Sequence, residues 1–80
     1  MQVLFFGVLK EGFGRDKEWM ELAEGARVKD LLKDLEVRGG GAQVWGSIAV
    51  AVNQEYAQVE DVLRDGDEVA LLPPVSGGVR

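Results

Sequence analysis

One amphipathic stripe is all the helical cover this chain has to offer. Val28, Leu31, Leu32 and Leu35 recur at i, i+3, i+4 and i+7, while Lys29, Asp30, Lys33, Asp34 and Glu36 fall mainly on the other side. That spacing predicts a single helix over residues 28–37 with one apolar face. Gly39-Gly40-Gly41 ends it, because glycine tolerates the left-handed conformation of a helix C-terminus. No Ser, Thr, Asp or Asn stands directly before Val28 to cap the start. The apolar segments at the two ends of the chain are a different matter. Leu4, Phe6 and Val8 alternate with Val3, Phe5 and Leu9, and Val69 and Leu71 alternate with Leu72, so bulky groups occupy both sets. Such strands are built for burial on both faces, yet one helix covers only one face of a sheet. Part of the other set, Phe6 and Leu72 in particular, is left as an exposed apolar patch of the kind that marks a protein interface.

The remaining pattern completes the architecture. Residues 2–9 read as one strand. Residues 10–16 read as a turn containing Gly12 and Gly14, and residues 17–23 as a second strand paired antiparallel to the first. Residues 47–52 read as a central strand, 53–56 as a turn and a brief strand, and 60–64 as a single helical turn. Asp65-Gly66-Asp67 is a turn signal. Residues 68–72 form the last strand, which Pro73 stops because proline gives the sheet no N–H. The two terminal strands are the most apolar and belong side by side in the middle of the sheet. The prediction is an α+β fold: a β-grasp-like roll with a mixed sheet of four to five strands and one main helix across one face. Residues 1–74 make one domain, and residues 75–80 make a flexible tail carrying Gly77-Gly78.

Composition removes most catalytic chemistry. An 80-residue chain buries only about 60% of its unfolded surface, so one modest core is expected. There is no cysteine and no histidine, which excludes disulfides, thiol catalysis, Ser–His–Asp arrangements and ordinary zinc, iron–sulfur or haem sites. Gly12-Phe13-Gly14 lacks the third glycine of a dinucleotide fingerprint, and no Gly-Lys-Ser/Thr follows Gly39-Gly40-Gly41. Asp65-Gly66-Asp67-Glu68 is too short for a calcium loop and reads as a solvated turn. The net charge of −5 repels phosphate backbones, which argues against nucleic acid as a partner. No stretch approaches the ~20 apolar residues of a membrane span, and the N-terminal residues lack a signal-peptide pattern. The expected compartment is the cytoplasm, and the expected role is not that of an enzyme acting alone.

The C-terminal segment Pro73-Pro74-Val75-Ser76-Gly77-Gly78-Val79-Arg80 suggests where function lies. Two prolines stiffen a stem, and two glycines without Cβ atoms can enter a channel too narrow for other residues. Together with Val3-Leu4-Phe5-Phe6, Ala51-Val52-Asn53-Gln54 and Leu63-Arg64-Asp65-Gly66-Asp67-Glu68-Val69-Ala70, this ending resembles the small subunit of molybdopterin synthase, the MoaD-type ubiquitin-like sulfur carriers. The likeness runs from the first strand to the tail and is weakest over residues 36–47.

The resemblance implies a β-grasp fold and a chemistry. An ATP-using enzyme adenylates the carboxylate of Gly78, sulfur replaces AMP to give a thiocarboxylate, and the tail donates that sulfur to cyclic pyranopterin monophosphate to build a dithiolene. It implies that Gly77 gives clearance, that Phe6, Tyr56 and Leu72 form an apolar docking surface, and that Pro73, Pro74, Val75 and Ser76 line the partner's tunnel. Lys10 falls where a basic residue can make a rim ion pair. The implied partners are the synthase large subunit, in a heterotetramer, and the adenylating enzyme. No cofactor is bound by this chain, and the ATP belongs to the activating enzyme. Val79 and Arg80 depart from the pattern, since such carriers react at a terminal glycine. Either a peptidase removes them, or they are foreign to the chain, or the chain no longer carries sulfur. Two other destinations stay open: sulfur delivery to thiamine thiazole or tRNA, and ubiquitin-like modification of other proteins.

Overall fold

The computed structural model describes residues 1–38 and 47–73. The glycine run at 39–41, read as the stop of the long helix, lies outside them, as does the tail from Pro74 onward. Five strands form one mixed sheet: β1 (Gln2–Phe5), β2 (Lys17–Trp19), β3 (Ala49–Val52), β4 (Glu55–Ala57) and β5 (Glu68–Leu72), in the spatial order β2-β1-β5-β3-β4. The first and last strands are parallel neighbours, with Val3 opposite Val69 and Phe5 opposite Leu71. The other pairings are antiparallel. The helix α2 (Val28–Val37) carries its stripe as expected, with Val28, Leu31 and Leu35 buried and Leu32 half-buried. Their neighbours in the core include Val3, Phe5, Val69 and Leu71.

Four expectations are corrected. The first strand stops at Phe5 rather than Leu9. Gly7 adopts φ 58°, ψ −133°, which breaks the extended run, and a short helix α1 (Val8–Phe13) follows. Turning the chain there drops Leu9 into the core while Val8 stays outside. Gly14 closes α1 in the left-handed conformation at φ 74°, its N–H donating to the Lys10 carbonyl. Second, β2 ends at Trp19 instead of residue 23, since its pairing with the first strand runs out where Met20 and Met1 exchange bonds. Third, residues 60–64 are not a helical turn. The backbone of residues 59–63 serves the start of α2 instead. The Asp61 carbonyl accepts the Val28 N–H at 2.9 Å, the Val59 carbonyl accepts the Lys29 N–H at 2.9 Å, and Leu63 donates to the Ala26 carbonyl. Two of the donors that any helix leaves unpaired at its N-terminus are thus satisfied by a segment thirty residues later in the chain. Asp30 adds a third contact by accepting the Arg27 N–H at 2.8 Å, which is why no Ser or Asp is needed ahead of Val28. Fourth, the strand expected from residue 47 begins at Ala49.

The segments that carry the family likeness hold the sheet together. Asp67 accepts the Arg64 N–H at 2.8 Å and the Asn53 side-chain amide at 3.0 Å, and Asn53 in turn accepts the Glu68 N–H at 3.0 Å. Asn53 and Gln54 form the β3–β4 turn at φ 53° and 71°, the conformation that two-residue hairpins require. On the helix side of β2, Glu18 receives two bonds from Arg38, at 2.9 and 3.1 Å. The Arg38 guanidinium lies 5.9 Å from the Phe13 ring centroid, and Phe13 stacks on Phe5 at 4.7 Å. This ladder ties β2, α1 and α2 to the core.

Candidate functional site

The sheet face opposite α2 is apolar across Leu4, Ala70, Ala51, Leu72 and Ala49, and it also carries Lys17, Gln2 and Glu68. Reading across the strands, Lys17, Leu4, Ala70, Ala51 and Tyr56 occupy directly paired positions and so share one side of the sheet. The next row pairs Leu72 with Ala49. The alanines keep the middle of this face low, while larger groups stand at its margins. Tyr56 is 81% exposed on one edge strand and Trp19 is 66% exposed on the other.

The expected docking residues lie on this face or at its end. Phe6, 44% exposed, directly follows β1, and half-buried Leu72 ends β5. Because β1 and β5 are parallel, Phe6-Gly7 and Leu72-Pro73 leave the sheet side by side. The approach is close: a Cβ placed on Gly7 would lie 3.1 Å from Cγ of Pro73. Pro73 is half-buried. Lys10 is exposed on α1, and with Lys17 it borders a groove of about 360 Å³ beside Phe6. Tyr56 on β4 is separated from Phe6 at the end of β1 by the two strands β5 and β3, so the site is an extended surface and not a cleft. Pro74, Val75, Ser76, Gly77 and Gly78 lie outside the described residues.

Sequence reasoning missed Trp19 and Lys17. The signal was the alternation within Lys17-Glu18-Trp19, in which Glu18 turns inward to Arg38 and its two neighbours turn outward. Among the described residues no group of three or more His, Cys, Asp or Glu is arranged to hold a metal ion, and no helix is long and apolar enough to cross a membrane. The arrangement is suited to association: a broad apolar surface whose central strand leads into a glycine-bearing segment.

Comparison with known proteins agrees in length and fold. Residues 3–78 match the ThiS family. The chain is 38% identical over 81 residues to a molybdopterin synthase sulfur carrier subunit from Chlamydomonas reinhardtii, covering 98% of each. It is 38% identical over 82 residues to the human protein of the same name, covering 98% of this chain and 93% of that one. Among solved structures, SAMP1 from Haloferax volcanii superposes with a TM-score of 0.79 at 33% identity, over 96% of this chain and 97% of that one. A chain from the complex of subunits 1 and 2 of molybdopterin-converting factor from Helicobacter pylori 26695 superposes with a TM-score of 0.70 at 31% identity, over 96% of both.

Proposed function

The chain belongs to the ThiS family, and on that premise we propose that it is the sulfur carrier subunit of a molybdopterin synthase. The observation that carries the reading is the shared exit of Phe6-Gly7 and Leu72-Pro73 from the apolar, helix-free face. The central strand β5 thereby ends, at Pro73, beside the proposed docking surface, and Gly78 follows five residues later in the sequence.

The structure from Helicobacter pylori is a complex of subunits 1 and 2 of molybdopterin-converting factor, which supports a large-subunit partner; in this reading that partner takes Phe6, Tyr56, Leu72 and Pro73 as its contact, and the assembly is a heterotetramer. Pro74, Val75 and Ser76 line the tunnel that admits the glycines. Gly78 lies five residues past Pro73, so its acyl carbon reaches at most about 17 Å beyond that point when the chain is extended. The reacting centre of the partner has to lie within that depth. Glycines let the backbone approach closely, and holding the acyl carbon beside its acceptor makes the transfer effectively unimolecular.

The chemistry begins with hydrolysis of the Gly78–Val79 peptide bond by a peptidase. The freed Gly78 carboxylate attacks the α-phosphorus of ATP in the activating enzyme and releases pyrophosphate. Hydrosulfide then adds to the acyl carbon, AMP leaves, and the thiocarboxylate remains. Activation is required because a carboxylate repels nucleophiles and has no competent leaving group. The thiocarboxylate sulfur bonds to a carbon of cyclic pyranopterin monophosphate with loss of that carbon's oxygen substituent. Water then cleaves the Gly78 acyl–sulfur bond and returns the glycine as a carboxylate, and two such transfers complete the dithiolene. The site of action is the cytoplasm. No cofactor resides on the carrier itself.

The test is intact-mass analysis after incubation with a matching activating enzyme, ATP and sulfide. A chain ending at Gly78 gains the mass of one oxygen-to-sulfur exchange, and a chain ending at Arg80 gains nothing. Failure of the trimmed chain to take up sulfur refutes the proposal. Isopeptide-linked conjugates in its place identify a protein modifier.

A further inference from the structure

Among the described residues, two ammonium groups beside the root of the tail have no ion-pair partner. Arg15, Arg27, Lys29 and Arg38 each pair with a carboxylate. Lys10 and Lys17 pair with none among the described residues, yet both border the same groove, whose apolar wall includes Leu4, Phe6 and Gly7. Asp16 also borders it and pairs with neither lysine. The two cations come from different elements, Lys10 from α1 and Lys17 from β2, where it stands opposite Leu4. On a chain of net charge −5 this corner sets two lysines against one carboxylate, Asp16, around an exposed aromatic ring and is net positive. It is also the corner where Gly7 lies against Pro73, so a partner that takes the tail passes directly over it.

We infer that Lys10 and Lys17 together form a two-point cationic clamp for a carboxylate-bearing segment of the large subunit, which seats against Phe6 at the root of the tail. The inference rests on the carrier reading and deepens it. Lys10 alone is a single rim contact, whereas Lys17 on the facing element makes the contact two-sided and fixes the direction of approach. Rim charges of this kind act chiefly on the encounter rate and are screened by salt. They discriminate as well, because a basic docking surface is repelled.

The experiment measures association of the chain ending at Gly78 with purified large subunit by stopped flow, at low and high salt. The variants are K10E, K17E and the charge-neutralising K17Q, with K33E as the control. Lys33 is an exposed lysine on the wet side of α2 without an ion pair among the described residues, so K33E makes the same change in net charge elsewhere. K10E and K17E each slow association about fivefold at low salt, K17Q about twofold, and these differences shrink at high salt. K33E has a smaller effect than K17E, and every variant retains the wild-type melting temperature. If K17E matches K33E, the inference falls while the carrier reading stands. If the wild-type chain binds no large subunit, both fall.

Discussion

Replacing Asp67 by alanine tests whether the turn before β5 is a structural lock. The substitution removes two hydrogen bonds to one carboxylate, from the Arg64 N–H at 2.8 Å and the Asn53 amide at 3.0 Å. Bonds to charged groups contribute about 1.5–3 kcal/mol when sheltered, but both of these are open to solvent, so about 1 kcal/mol each is appropriate. The expected loss is about 2 kcal/mol, which lowers the melting temperature of a domain this size by about 8–16 °C. N53A removes the same Asn53–Asp67 bond, leaves the Glu68 N–H without its side-chain acceptor, and places alanine at φ 53°. The shared bond is then counted twice, so the double mutant should be about 1 kcal/mol more stable than the sum of the single losses predicts. Urea unfolding followed by circular dichroism measures all three. Sulfur uptake by folded D67A should match the wild type, because Asp67 lies at the opposite end of β5 from the tail, about 17 Å away. A D67A chain within about 0.5 kcal/mol of wild type, or strict additivity with N53A, refutes the assignment.

Three other outcomes follow from the packing. L31A empties a fully buried position and should cost about 2–5 kcal/mol, a large part of the stability of so small a domain, visible as a shift in the urea midpoint. E18A removes the two-bond contact with Arg38, and thermal melts should register a loss of about 1 kcal/mol. F6A and Y56A remove exposed rings. Each should change stability by less than about 1 kcal/mol while weakening large-subunit binding about tenfold in a titration; a loss of fold instead of affinity would reassign these residues to the core.

The parts legible in the sequence were those in which local pattern and tertiary role coincide. The Val28–Leu35 stripe marked α2 because its periodicity is also its packing face. The double apolar alternation of β1 and β5 marked both their adjacency and the exposed Phe6. The helix α1 was not legible: six residues, one of them Gly12, are too few to be helical by propensity, and long-range contacts such as Leu9 in the core and Phe13 stacked on Phe5 hold it. Residues 60–64 gave a local helical signal that their carbonyls, engaged with α2, override. At the site, Trp19 escaped because an apolar residue beside Met20 reads as core; only the alternation about Glu18, which turns inward to Arg38, marks Trp19 as outward. The assignment of Tyr56 to the proposed docking surface rests on resemblance alone, since an isolated tyrosine on a short strand carries no pattern.

The parallel pairing of β1 with β5 has a consequence for biosynthesis. The opening residues of the chain leave the ribosome first but acquire their central neighbour only when the last strand has emerged. Until then the sheet has no middle. Folding is therefore ordered by topology: the first strand waits for the last, and Pro73 cannot take its place beside Gly7 before β5 has been made.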